Sequence, residues 1–294
     1  MTGRIKNILA VAALCALLPE ASFSGFASME EGARASGMGG AFVAVSDDAT
    51  AIFWNPAGLG QTYGLKLTGM RTRLYSVGEL SEDCVAVTYS GWHRAGFGFG
   101  WARTGLEGIY NENTYVVGAG KRILLDGLSV GGALRIYHVA APGYAYYNDP
   151  GFRDGSTGYA GDAGLLYRGG NWSLGCTVRN IGEPELKMIE TTAESDPIRT
   201  EFRVGGTYIF REVMLLSAEL RRPTEAPSYV ESKTSFNLGT EISFFDIFAL
   251  RCGLHDEEAT AGLGLRIENL SVDASLMSEG RPGNKYRLSL SLDF

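Results

Sequence analysis

The sequence predicts an all-β fold: a transmembrane antiparallel up-and-down β-barrel of about fourteen strands, with a short N-terminal plug segment in the lumen. Three observations predict it. The chain ends in a two-faced strand. Strand-length apolar stretches recur along it, with no helix-length apolar run after the first residues. The links between those stretches alternate between short and long.

At the N-terminus, Arg4 and Lys6 precede an apolar run over 8–18 that Pro19 stops. That run is too short for a spanning helix, which takes about 20 residues. A charged start, a short apolar centre and small residues after it read as a secretory leader over 1–27, with cleavage after Ser24 or Ala27. Leu14 directly before Cys15 has the wrong size for lipoprotein processing.

Residues 28–63 form the next unit, small, glycine-rich and apolar enough to tuck into a barrel mouth. Gly37-Met38-Gly39-Gly40 is no dinucleotide loop: the third glycine of G-x-G-x-x-G falls on Phe42, and no strand precedes it in the mature chain. Its glycines permit tight bending and close backbone approach. Ser46 or Asp47 is expected to cap a short helical turn running through Phe53. Pro56 then restricts Asn55 to an extended conformation and ends the turn. Met38, Phe42, Ile52, Phe53 and Trp54 are the apolar side chains here, with two readings: a ligand pocket, or packing of plug against wall.

From residue 64 onward, strand candidates centre on 65–75, 85–89, 95–103, 115–121, 128–139, 159–168 and 172–180. They continue at 202–210, 214–221, 233–244, 248–254, 261–267, 270–277 and 286–294. Spread over 64–294, each strand with its connection has about 16 residues, against the 9–11 or so that a spanning strand takes. Alternation puts Phe97, Phe99, Leu134, Ile136, Phe236, Leu238, Leu263, Leu265, Leu288 and Leu290 on the lipid side. Arg135, Asp162, Arg179, Arg203, Glu219, Glu241, Arg251, Arg266, Asp273 and Arg287 fall on the lumen side, where they must find partners.

Short links are expected at 91–94, 169–171, 211–212, 245–246 and 268–269, and long ones at 105–113, 140–158, 181–201 and 222–232. Short periplasmic turns and longer external loops give this rhythm, and an even strand count puts both barrel ends on the periplasmic side. A soluble sandwich does not predict it. The last strand is apolar on one face through Tyr286, Leu288, Leu290, Leu292 and Phe294, the form of a C-terminal signal for the barrel-assembly machinery.

Composition agrees. Mean hydropathy is -0.01, as expected when an apolar exterior and a polar interior average out. Gly 40 in 294 residues is about twice the usual share, and inward glycines relieve a crowded lumen. A formal net charge of -7 with no basic stripe argues against nucleic acid. Cys84, Cys176 and Cys252 lack metal or disulfide spacing, and the histidines His93, His138 and His255 are scattered, so neither metal nor cofactor is expected. His255-Asp256 is no catalytic constellation, since no motif sets a nucleophile beside it, and no enzyme is expected.

Gly37-Met38-Gly39-Gly40-Ala41, then Asp47-Asp48-Ala49, then Asn55-Pro56-Ala57-Gly58-Leu59 resembles the N-terminal block of the FadL-like outer-membrane proteins, most closely the PorV/PorQ branch. The segments 249–254, 262–265 and 270–274 and the final strand look like that branch's last strands. The resemblance implies an outer-membrane barrel of a diderm bacterium with its N-terminal segment folded inside. PorV-like relatives serve protein secretion; FadL-like relatives pass hydrophobic small molecules. The implied partners are outer-membrane lipids, the assembly machinery, and secretion-system proteins or hydrophobic molecules. Tyr144, Tyr146, Tyr147 and Phe152 in the external loop over 140–158 suit either a partner or a membrane interface.

Overall fold

The computed structural model describes residues 30–74, 80–123, 127–147, 151, 155–188, 197–224, 234–278 and 283–294. The expected leader over 1–27 and Phe152 lie outside these residues, as do the side chains of Tyr146 and Tyr147.

Strands β1 (Gly64–Leu74), β2 (Leu80–Trp92), β3 (Ala95–Leu106), β4 (Tyr110–Arg122), β5 (Leu128–Ala140), β6 (Gly155–Arg168) and β7 (Trp172–Ile181) make one half of the wall. The other half is β8 (Glu201–Phe210), β9 (Met214–Pro223), β10 (Ser235–Phe244), β11 (Phe248–His255), β12 (Glu258–Ile267), β13 (Leu270–Ser278) and β14 (Lys285–Asp293). Each pairs antiparallel with its sequence neighbour, and β1 closes the barrel on β14, from Lys66 opposite Asp293 to Leu74 opposite Lys285. Even the last residue is in the ladder: Leu65 N donates to Phe294 O at 3.0 Å and Phe294 N to Leu65 O at 2.8 Å.

The two faces are sorted inside out relative to a soluble protein. On β3, Phe97 and Phe99 are 46% and 43% exposed, while Gly96, Gly100 and Ala102 are buried against the lumen. On β14, Tyr286, Leu288 and Leu290 are exposed and Arg287 and Ser289 buried, with Leu292 on the outward face and Phe294 exposed beyond it. Leu134, Phe236, Leu238, Leu263 and Leu265 are likewise exposed, with Ile136 partly so. So continuous an apolar exterior suits a hydrocarbon surround. The expected lumenal charges are buried except Arg266, which sits exposed at the rim with its Nε donating to Ser271 Oγ at 3.2 Å.

The longest connections, 141–154, 182–200 and 224–234, leave from one rim; the opposite rim has 169–171, 211–213, 245–247 and 268–269. One expected long link is not there. Residues 105–113 shrink to a turn over 107–109, because β3 reaches Leu106 and β4 begins at Tyr110. Asn111, Glu112 and Asn113 read as loop because they are polar, yet all three are paired with both neighbouring strands. They are polar because the strand there has risen past the apolar band. At the opposite rim, His93-Arg94, Arg211-Glu212 and Phe245-Asp246 all have positive φ, between 49° and 62°. Two left-handed residues in succession give a turn whose twist matches the strands it joins.

Candidate functional site

The lumen is filled by Glu30 to Thr62, almost every residue of which is buried. Three short pieces compose this plug: α1 (Ala33–Gly37), α2 (Ala51–Trp54) and a 3-10 turn (Pro56–Gly60). Helix α1 stops where Gly39 and Gly40 take φ of 63° and 70°. A Cβ at Gly39 would lie 2.5 Å from the carbonyl oxygens of both Leu238 and Leu254, so plug backbone rests directly on β10 and β11 there.

Neither Ser46 nor Asp47 caps α2. Ser46 Oγ donates back to Phe42 O at 3.0 Å, and Asp47 faces Arg34 instead. Asp48 organises the entry, its Oδ1 accepting from Thr50 N at 2.8 Å and from Thr50 Oγ1 at 2.5 Å. Asn55 is extended, with φ -153°, as Pro56 requires. Its Nδ2 donates to Val43 O at 2.9 Å and to Leu165 O on β6 at 3.0 Å, while its Oδ1 accepts from Ala57 N at 3.1 Å. Asn55-Pro56 thus joins two parts of the plug to the wall through one side chain. Gln61 adds a second tie, its Nε2 donating to Gly127 O and Leu166 O.

Met38, Phe42 and Ile52 are 0% exposed, Phe53 1% and Trp54 2%. The five share one apolar cluster with Met70, Cys84, Ala86, Ala102 and Val116 of β1–β4. The Phe53 ring fills the space a side chain at Gly100 would occupy, since a Cβ there would lie 2.5 Å from its Cζ. At mid-depth, β1–β4 therefore present a neutral lumenal face, with Glu82 above it toward the long-loop rim.

The rest of the wall is charged and grips the plug backbone. Arg135 on β5 pairs with Asp162 on β6 at 2.5 Å, and its Nη2 donates to Phe53 O at 2.8 Å. Glu219 Oε2 on β9 accepts from Phe42 N and Val43 N, both at 2.9 Å. The Arg203 guanidinium lies 5.3 Å from the centre of the Trp54 ring. A chain of alternating charges runs from Asp47 through Arg34, Glu241 and Arg251 to Asp273, with contacts of 2.5, 2.8, 2.6 and 2.8 Å. It borders a polar cavity of about 290 Å³ that includes Lys66, Arg266 and Asp293 at the short-turn rim. On the far side of the plug, Glu30 meets His255 at 2.7 Å and Arg287 at 3.5 Å. His255-Asp256 is thus a structural pair of residues, His255 holding the plug and Asp256 accepting from Ser235 Oγ at 2.8 Å.

Burial works against the Glu30 carboxylate, but His255, Arg287 and Lys285 together outweigh it and hold its pKa down at about 2. Burial likewise opposes the charge on Asp47, and Arg34 and Arg168 overcome it, whereas burial dominates at Asp48 and raises its pKa. A carboxylate with a lowered pKa stabilises the docked plug fully above its ordinary value, 4.5 for Glu30, and loses that contribution as pH falls toward about 2. Docking is therefore expected to persist from pH 7 to 5 and to weaken below about pH 4. Cys84, 1% exposed beneath the plug, reports it: in a Cys176→Ser/Cys252→Ser background, labelling by 4,4′-dithiodipyridine should stay low down to pH 5 and rise in stronger acid. Labelling that already rises between pH 7 and 5 contradicts this.

The sequence reading found the apolar plug residues but missed Glu30, Arg34 and Gln61. Their signal was a handful of polar side chains in an otherwise apolar, glycine-rich segment.

Neither a family model nor a curated protein matches the chain. Solved structures do. The chain is similar to the CymD monoaromatic hydrocarbon channel, with TM-score 0.62 at 15% identity, covering 88% of this chain and 96% of that one. A TodX monoaromatic hydrocarbon channel deltaS2 mutant gives TM-score 0.65 at 13% identity, covering 90% and 99%. The Pseudomonas putida toluene transporter TodX gives 0.58 at 12%, covering 88% and 96%. At such identities the likeness is one of fold, that of a closed fourteen-strand antiparallel barrel.

Proposed function

We propose that this chain is a non-enzymatic outer-membrane conduit of a diderm bacterium for hydrophobic small molecules, with the plug as its gate. One observation carries the reading. The plug is held without covalent links, and the wall behind it on β1–β4 is a neutral strip of Met70, Cys84, Ala86, Ala102 and Val116. A water-filled pore would instead be polar inside. Movement of α2 away from β3 and β4 opens a path lined by uncharged side chains, along which an apolar molecule displaces no charged group. The fold shared with hydrocarbon channels supports this reading. Ile52 and Phe53, which pack on Gly98, Gly100 and Gly118 of β3 and β4, are then the face of the gate that an entering molecule replaces, with Met38, Phe42 and Trp54 in the same cluster behind them.

The test is the initial rate of labelled toluene uptake by a diderm host expressing the protein. A rate above the empty-vector control is expected, with a drop of tenfold or more in a Val116→Asp variant that still inserts. A rate equal to the control overturns the proposal.

A second reading is a scaffold for protein secretion of PorV/PorQ type. It is favoured by the resemblance of Gly37-Met38-Gly39-Gly40-Ala41, Asp47-Asp48-Ala49 and Asn55-Pro56-Ala57-Gly58-Leu59 to that branch. Stoichiometric secretion components in a detergent pull-down from the native envelope support it over the conduit; co-purifying aromatic or fatty molecules without protein partners point the other way. In either reading the outward Tyr286, Leu288, Leu290, Leu292 and Phe294 serve recognition by the barrel-assembly machinery.

A further inference from the structure

The outer wall carries a basic shelf that neither reading of the lumen uses. On the outward face of β1, the apolar residues Leu65 and Leu67 give way to Arg71 and Arg73 before the long-loop rim. Arg71 is opposite Asp83 on β2, and Asp83 is in turn opposite Arg103 on β3. Three arginines thus converge on one face of three adjacent strands. Strand spacing sets the Arg71 and Arg103 backbones about 10 Å apart, and Arg73 is about 7 Å further along β1.

Asp83 neutralises only part of this charge. Its Oδ1 lies 3.6 Å from Arg71 Nε, and the Arg71 side chain remains 74% exposed. Among the described residues, Arg73 and Arg103 have no ion-pair partner. Three guanidiniums against one carboxylate leave a positive site on a chain whose net charge is -7.

The depth of the shelf is marked by the row beneath it. Trp101, Tyr115, Ile136 and Tyr159 lie opposite one another along β3, β4, β5 and β6. Trp101 Nε1 donates at 3.1 Å to Asn113 Oδ1 in the row above. An indole with its ring in the apolar band and its N–H in a polar belt marks a membrane–water boundary. The shelf therefore stands at headgroup level, where phosphates are the abundant anions and a guanidinium binds them bidentately.

We propose that Arg71, Arg73 and Arg103 form a binding site for the phosphorylated headgroup of an outer-leaflet glycolipid. The site orders a lipid against β1–β3, three of the four strands that carry the neutral lumenal strip. The inference rests on the membrane reading of the fold and not on what passes through the lumen.

Native mass spectrometry of the detergent-solubilised protein with added diphosphoryl lipid A tests it. The wild type is expected to retain lipid A at least tenfold more than the same lipid stripped of phosphate. Retention should fall at least tenfold in Arg71→Gln/Arg73→Gln/Arg103→Gln and remain in Arg222→Gln, which alters an outward arginine on β9. Heat-modifiable migration checks that each barrel is folded, and falling retention of wild type with rising salt gives a reading that needs no variant. Equal retention of the phosphate-free lipid, or by a folded triple variant, overturns the site. Toluene uptake is a separate measurement, so failure of the conduit leaves this result standing.

Discussion

A Gly131→Leu protein is expected to assemble its barrel and fail to seat its plug. Gly131 faces the lumen on β5, and a Cβ there would lie 2.3 Å from the Pro56 carbonyl carbon and 2.4 Å from Ala57 N. Both are backbone atoms, so no side chain can swing aside. Across the ladder, Gly120 on β4 is held as close, with its Cβ 2.3 Å from Pro56 O. The 3-10 turn is gripped from two strands and must lift as a unit. Lifting it breaks the bonds from Asn55 to Val43 and Leu165, the ties that orient the rest of the plug. Overpacking a core costs about 1–3 kcal/mol. With unyielding backbone on both sides we place this substitution at about 3 kcal/mol, a roughly 100-fold gain in the undocked population. Cys84 labelling should accelerate accordingly, and planar-bilayer recordings should show openings absent from the wild type. A wild-type labelling rate in the variant would mean that the plug tolerates displacement of its turn and is not the gate.

Arg135→Ala should produce the largest loss of stability. The Arg135 and Asp162 side chains are each 1% exposed, and their pair closes at 2.5 Å. Arg135 also satisfies the Phe53 carbonyl at the end of α2. Truncation leaves Asp162 buried with the Asn180 N–H as its remaining donor at 3.0 Å, and it orphans the Phe53 oxygen. Breaking one side of a buried pair costs about 3–5 kcal/mol, because the partner charge stays behind without compensation. Urea unfolding in lipid vesicles measures it. Arg135→Met/Asp162→Leu should recover most of the loss, since replacing both partners removes the stranded charge. A double variant as unstable as the single one would place the cost elsewhere, at the lost contact to Phe53.

The lumen wall shows why part of this molecule was readable in one dimension and part was not. Phe97 and Phe99 point outward and Gly96 and Gly100 inward because a strand turns each residue over relative to the last, a rule local to consecutive residues. The same rule sorted Arg135, Glu219, Arg251 and Arg287 to the inside without any knowledge of their partners. It failed where polarity stopped reporting secondary structure: Asn111, Glu112 and Asn113 are as polar as a loop and yet are paired strand. It placed the short link at Phe245-Asp246 but not its left-handed backbone, which is imposed by the strands it joins and is not signalled by glycine.

The plug divides the same way. Pro56 makes Asn55 extended through a clash between adjacent residues, so that conformation was legible. The partners of Asn55 were not, because Leu165 is more than a hundred residues away and meets it only when β6 closes beside β5. Nor does anything near Ser46 or Asp47 reveal that Arg34 claims Asp47 while Asp48 organises the turn. The sequence by itself determined the barrel, its strand count and the side of the wall each residue faces, since those follow from period-two alternation and chain length. Tertiary structure alone decided how the plug is held, which charges pair, and that the neutral strip of β1–β4 lies behind α2. Those features depend on contacts between residues far apart in the chain, and the closing of the barrel is what brings them together.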